Sequence, residues 1–303
     1  MSGHDHHHEH GHSHSHTHNA KKKSLFISFL LIASFMIAEI IGGILTNSLA
    51  LLSDAGHMFS DAVALGLSLL AFKFGEKAAN DDKTYGYKRF EILAAFLNGL
   101  ALIIISLYIF YEAYHRFFAP PAVVGSGMMT ISVLGLIINI LVAWILMRGD
   151  TSGNLNMRSA FLHVIGDLLG SVGAIIAALL IIFFDWNIAD PIASVIVSAL
   201  ILVSGFRVLR ESIHVLMEGK PASLDIGAIR GYFLSLSGVE SVHDLHVWSI
   251  TSDFQALTAH IQVKENVDRD ALLEEIEHFL AEHYHLDHVT IQMERHAHHH
   301  HCN

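Results

Sequence analysis

From Ser24 onward the chain alternates apolar runs of about 20 residues with short polar breaks, the length a helix needs to cross a bilayer. The runs predict helices over 24–45, 49–72, 90–115, 127–147, 159–183 and 190–209. Lys21, Lys22, Lys23, Lys73, Lys77, Lys83, Lys88, Arg89, Arg148, Arg158, Arg207 and Arg210 fall in breaks on one side, and only Arg116 on the other. Positive charge collects on the cytoplasmic side, so both termini are expected there. After Arg210 the pattern changes. Helical periodicity over 223–236 and 268–285 is mixed with period-two runs over 241–250, 255–264 and 287–293, in the order αββαβ. Such an order makes a small sheet with two helices on one face. The expected architecture is an all-α bundle of six transmembrane helices over 24–210, then a small α+β cytoplasmic domain over 211–295. The polar segments 1–23 and 296–303 are read as tails. A domain this short has little core of its own, so pairing with a second copy is expected.

Composition supports the membrane reading. The chain has 303 residues, 52% hydrophobic and only 16% charged, with a mean hydropathy of +0.45, too apolar for a soluble protein of this size. A net charge of -11 argues against a nucleic-acid partner. No cleavable signal peptide is visible, because the first apolar run follows Lys21-Lys22-Lys23 and is long enough to span. The single cysteine, Cys302, rules out an internal disulfide and a Cys-rich zinc knuckle. Metal binding must rest on histidine and carboxylate. Histidines at 4, 6, 7, 8, 10, 12, 14, 16 and 18, among Gly, Ser, Asp and Thr, read as a disordered chelating tail. His8-Glu9-His10-Gly11-His12 spells the zinc-protease pattern but lacks the stable helix that pattern requires.

The chemistry centres on Ser53-Asp-Ala-Gly-His-Met-Phe-Ser-Asp61. On a helix Asp54, His57 and Asp61 fall within a wedge of roughly 60°. A carboxylate inside a membrane is costly unless paired, hydrated or bound to a cation, which makes it a functional candidate. His163-Val-Ile-Gly-Asp167 repeats the His-x-x-x-Asp spacing in another apolar run, again one turn apart on one face. Two nitrogens and two oxygens from His57, Asp61, His163 and Asp167 can close a four-coordinate shell around a divalent ion, the shell zinc prefers. Asp54 stands either behind that shell or at its access. Glu39, Asn98 and Asn139 either line a wet passage or make interhelical hydrogen bonds, the commoner role of a lone membrane asparagine. Gly42, Gly43, Gly166, Gly170, Ser171 and Gly173 read as close-packing positions.

In the last domain His243 and His260 can meet across a sheet end, joined by Glu294, as a metal site or as ordinary polar residues. Zinc there would act as a regulatory ligand drawing two copies together. The expected function is secondary transport of zinc, with cadmium or cobalt as fellow substrates of the same N/O ligands. Zinc binds deprotonated ligands and histidine titrates near pH ~6.5, so protons are the expected counter-ion. A metalloenzyme would need an open metal position, which a four-ligand shell denies. A membrane metal sensor remains the other alternative. A bacterial plasma membrane is the expected location, although an organelle membrane fits the same topology.

Several runs together resemble the cation diffusion facilitator family, most closely its zinc-transporting branch. They are Ser48-Leu-Ala-Leu-Leu-Ser-Asp-Ala-Gly-His-Met-Phe-Ser-Asp61, Tyr85-Gly-Tyr-Lys-Arg-Phe-Glu-Ile-Leu-Ala-Ala-Phe-Leu-Asn-Gly99, His163-x-x-x-Asp167 and His243-Asp-Leu-His-Val-Trp-Ser249. The likeness runs from about residue 24 to 294. It implies a homodimer of six-helix protomers, each with a metallochaperone-like α+β (αββαβ) cytoplasmic domain, that exports zinc in exchange for protons, with the transport site on His57, Asp61, His163 and Asp167. It also implies a basic–acidic lock on Arg89 and Glu218. The segment from Asp81 to Lys88 has no histidine, so the second metal site that some members carry there is not expected. The family's cytoplasmic site maps onto His243 and His260, with its later His and Asp positions on Gln292 and Glu294.

Overall fold

The computed structural model of the chain describes residues 14–74, 80–149, 154–251, 254–286 and 288–295, with side chains left out at 14–24, 68, 71–74, 146–149 and 154–167. Six long helices come first: α1 (His14–Thr46), α2 (Leu49–Phe74), α3 (Phe90–Phe118), α4 (Gly125–Gly149), α5 (Asn154–Phe184) and α6 (Ala189–Leu216). The α1 helix reaches back to His14, into the stretch expected to be a disordered tail. An apolar span already supplies the costly nucleus, and Ala20-Lys21-Lys22-Lys23 are good helix formers that extend it cheaply. Among the described residues, four stretches are long and apolar enough to cross a membrane: Leu25–Thr46, Phe90–Phe118, Gly125–Ile145 and Ala189–Leu216.

The described residues up to 74 and from 97 to 207 form one compact unit. Its burial is inverted relative to a water-soluble protein. Leu45, Phe183 and Phe184 are more than 70% exposed, whereas Ser28, Glu39, Ser106, Ser132 and Ser171 are fully buried. Small residues let the helices approach. A Cβ on Gly43 would stand 2.9 Å from the Leu52 side chain. Gly173 is different: nothing lies within 4 Å of where its Cβ would be, so it does not serve close packing. Asn98 and Asn139 make the interhelical hydrogen bonds open to them, donating to Ser60 Oγ at 3.1 Å and Ser171 Oγ at 3.3 Å.

The start of α2 is held from a distant part of the chain. Asp190, at the beginning of α6 and fully buried, accepts from Ser48 Oγ at 2.6 Å, Leu49 N at 2.8 Å and Ala50 N at 3.1 Å. It therefore caps amide groups that the first turn of α2 cannot satisfy internally. Arg116 Nη1 lies 3.9 Å from the same carboxylate and donates to the Asn47 carbonyl at 2.7 Å. Asn47 takes φ 57° in the tight turn between α1 and α2.

The described residues from 80 to 96 and from 208 to 295 form a second compact unit. The stretch before α3 thus belongs with the small domain, which departs from the single boundary near 211. Here α7 (Ile226–Ser235), β1 (Val239–Ser249), β2 (Gln255–Val263), α8 (Arg269–Tyr284) and β3 (His288–Glu294) follow the expected αββαβ order. Asp225 and Asp268 cap the two helices. The sheet runs β1-β2-β3, with β1 antiparallel and β3 parallel to β2. Ile229 and Phe233 of α7, Leu272, Ile276 and Leu280 of α8, and Leu257, Ile261 and Val263 of β2 form one core. The polar segment before α3 is tied to this unit by Tyr85 Oη to His288 Nε2 at 3.2 Å and by Lys88 Nζ 3.5 Å from the Phe254 ring centre. Arg89 Nη2 lies 3.4 Å from Glu218 Oε1, the basic–acidic pair that the family resemblance implies, and both residues belong to this unit.

Asp190→Ala removes the cap, leaves buried amides without their acceptor and takes a nearby counter-charge from Arg116. Its expected cost is about 2 kcal/mol or more of unfolding free energy, read as a lower unfolding midpoint of the purified protein in detergent. Asp190→Asn, which keeps one acceptor, should fall between the two.

Candidate metal centres

The cytoplasmic trio is assembled by strand register. His243 on β1 pairs directly with His260 on β2. On the other side Gln262 pairs with Glu294 of β3, so Glu294 lies on the same face as His260, two residues along. Leu257, Ala259, Ile261 and Val263 take the opposite face into the core, which leaves His260 away from it. A bulge between His243 and His246, with Asp244 at φ 52°, adds one residue to β1 at this point. His260 Nδ1 lies 2.9 Å from Glu294 Oε1, and His243 Nε2 lies 3.4 Å from Glu294 Oε2. The ligand atoms of all three residues fall within 4.8 Å of one another.

Those spacings suit a metal. Zinc bonds of about 2.0–2.2 Å in a tetrahedron put ligand atoms about 3.3 Å apart. Glu294 is 3% exposed while His243 and His260 are 35% and 26% exposed, so the carboxylate forms the floor and the imidazoles the rim. Gln292 Nε2 donates to Glu294 Oε1 at 2.8 Å and fixes that floor. The family position that falls on Gln292 thus supplies an orienting donor.

In the membrane unit, Asp54 and Asp61 are buried, at 2% and 9% exposure, and His57 is half-buried. Asp54 points into a polar cluster. Ser171 Oγ donates to its Oδ2 at 3.4 Å, and a Cβ on Gly170 would stand 2.8 Å from its Oδ1. Its carboxyl also interacts directly with that of Glu39 on α1. Positions 163 and 167 fall within α5, but the side chains of His163 and Asp167 lie outside the described residues, as does the packing of Gly166. The grouping of Glu39 with Asp54 was not read from the sequence. Its only sequence signal was an acid within an otherwise apolar run.

A family model described as the cation efflux transmembrane domain matches residues 25–217, and one described as the cation efflux protein cytoplasmic domain matches 221–296. The chain belongs to the cation efflux family, the cation diffusion facilitators. It is accordingly a multi-pass membrane transporter of cations and not an enzyme. Among its relatives, the cadmium, cobalt and zinc/H(+)-K(+) antiporter of Bacillus subtilis is 57% identical over 93% of this chain and 91% of the relative. The zinc transporter ZitB of Escherichia coli is 48% identical over 91% of this chain and 88% of the relative. Among solved structures, the metal-bound C-terminal domain of the CzcD transporter from Cupriavidus metallidurans is 36% identical, covering 23% of this chain and 99% of that one, with a TM-score of 0.23.

The trio makes a specific demand. In protein carrying Asp61→Ala and lacking residues 4–18 and 296–303, Glu294→Gln should weaken zinc binding by at least about tenfold, since the floor ligand loses its charge. Calorimetric titration reads this directly. Undiminished affinity would leave the three residues as ordinary polar groups.

Proposed function

We propose that this cation efflux protein exports zinc, with cadmium and cobalt as fellow substrates, in exchange for protons through a site made by His57, Asp61, His163 and Asp167. The observation that carries this reading is the register of α2 against α5. The beginning of α2, at Ala50 and Leu51, packs with Ala174, Ala177, Ala178 and Ile181 towards the end of α5, so the two helices run antiparallel. Asp54 meets Gly170 and Ser171. Stepping inward from that contact by equal numbers of residues puts position 57 level with 167, and position 61 level with 163. Equal levels on opposed helices support a pairing of the two His-x-x-x-Asp motifs, a histidine of one with an aspartate of the other. Such a pairing suits a four-coordinate N₂O₂ shell around one divalent ion.

The remaining features support the same reading. The six long helices act as six spans, with both termini on the cytoplasmic side where basic residues collect. A bacterial plasma membrane is the setting, in keeping with the bacterial relatives. Two protomers pair through their cytoplasmic domains, and zinc held by His243, His260 and Glu294 regulates that pairing. Proton exchange follows from the ligands. Binding strips protons from imidazole and carboxyl groups at the cytoplasmic face, and an acidic opposite face returns them and releases the metal. The antiporter name of the Bacillus subtilis relative accords with this coupling.

Full-length protein in liposomes with a zinc-reporting dye inside tests the site. Alanine at any of His57, Asp61, His163 or Asp167 should lower zinc flux at least about tenfold, because no spare ligand closes the shell. Deleting residues 4–18 should leave flux largely intact. Equal losses from the two kinds of change would refute this division of roles.

Coupling is tested separately. Zinc uptake should rise when the lumen is acidified and fall when the pH gradient is collapsed. His57→Asp should lower the pH at which that coupling fails, because the imidazole titration is gone. Flux indifferent to both manipulations would mean that the ligands bind metal without exchanging it for protons.

A further inference from the structure

We propose that Glu39 is a proton-binding site in its own right, carrying one proton that it donates to the Asp54 carboxylate, apart from the metal ligands. Glu39 lies in α1, is fully buried, and accepts no hydrogen bond at either carboxyl oxygen among the described residues. No described lysine, arginine or histidine pairs with it. The groups facing it are few. From α2 comes Asp54, whose carboxyl interacts directly with that of Glu39. From α4 comes Gly135, where a Cβ would stand 3.1 Å from Glu39 Oε1. Among the described residues Asn139 of α4 and Gly170 and Ser171 of α5 also belong to the cluster around Asp54.

Two carboxyl groups that meet away from water cannot both carry charge without a cation between them. The hydrogen bonds say which of the two is ionised. Asn139 Nδ2 donates to Ser171 Oγ at 3.3 Å, and Ser171 Oγ donates onward to Asp54 Oδ2 at 3.4 Å. Donors aimed at a carboxylate favour its charged form. Asp54 receives that chain and Glu39 receives nothing, so the proton resides on Glu39. Among the described residues one neutral oxygen, Ser171 Oγ, is hydrogen-bonded to the pair, and it already accepts from Asn139. A metal ion coordinated by oxygen alone takes about six ligands or more.

Infrared difference spectroscopy of the purified full-length protein at neutral pH tests the assignment without relying on transport. The expected result is a buried carboxylic-acid carbonyl band that is lost in Glu39→Gln, shifted but kept in Glu39→Asp, and unchanged in Asp61→Asn. The Glu39→Asp variant keeps an acid, so its shifted band assigns the signal even if Glu39→Gln fails to fold. A wild-type protein without such a band, or a band that neither Glu39 variant alters, would overturn the proposal. Repeating the measurement in potassium and in choline buffer covers the other cation: a band present only in choline would mean that an alkali ion, not a proton, occupies the pair. Intact zinc flux with no band refutes this site alone and leaves the transport site standing.

Discussion

Exclusion of water from the helix bundle is the constraint on which the rest depends. A carboxylate in hydrocarbon needs a partner within reach, and each buried acid of the bundle can be read as an answer to that need. Asp190 is answered by backbone amides, a serine hydroxyl and a distant arginine. Asp54 is answered by Ser171 and by the facing Glu39. The first arrangement fixes where α2 begins, and the second fixes its height against α5. The helix bearing His57 and Asp61 is therefore located at two levels by interactions that involve neither residue.

Much of this was legible from the chain because apolar periodicity and polar intrusions are strong signals in a membrane protein. The helix starts at Leu49 and Phe90 fell where the pattern put them, since a helix in lipid starts where polar residues give way to apolar ones. The αββαβ order was legible for a similar reason: period two and period 3.6 are hard to confuse over runs this long. The start of α1 was not, because local composition favoured a tail while cooperative extension from the span favoured helix. Asp190 was missed as well. Its partners lie more than a hundred residues away in sequence, and no local pattern marks a carboxylate that caps another helix. The attachment of residues 80–89 to the small domain was foreshadowed only by the family's basic–acidic lock, because ring and cation contacts such as Lys88 with Phe254 leave no periodic trace.

Of the trio, His243 and His260 were legible as facing strand residues once the strands were placed. Glu294 joins them through the parallel pairing of β3, which needs the crossover through α8. Gln292 looked like the loss of a ligand. In the folded chain it donates to Glu294 and so orients a candidate ligand.

The bulge in β1 bears on how this domain tolerates change. Before it the core position is Val242, and after it the core positions are Leu245 and Val247. Alternation slips by one residue at the bulge, and Asp244 absorbs the slip. Dropping Asp244 would restore an unbroken two-residue rhythm with every apolar side chain still facing inward. The hydrophobic core therefore has no stake in this residue. What the extra residue changes is the local bend and twist of the strand beside His243, so the aim of that histidine is set by a residue that leaves the packing beneath it unchanged.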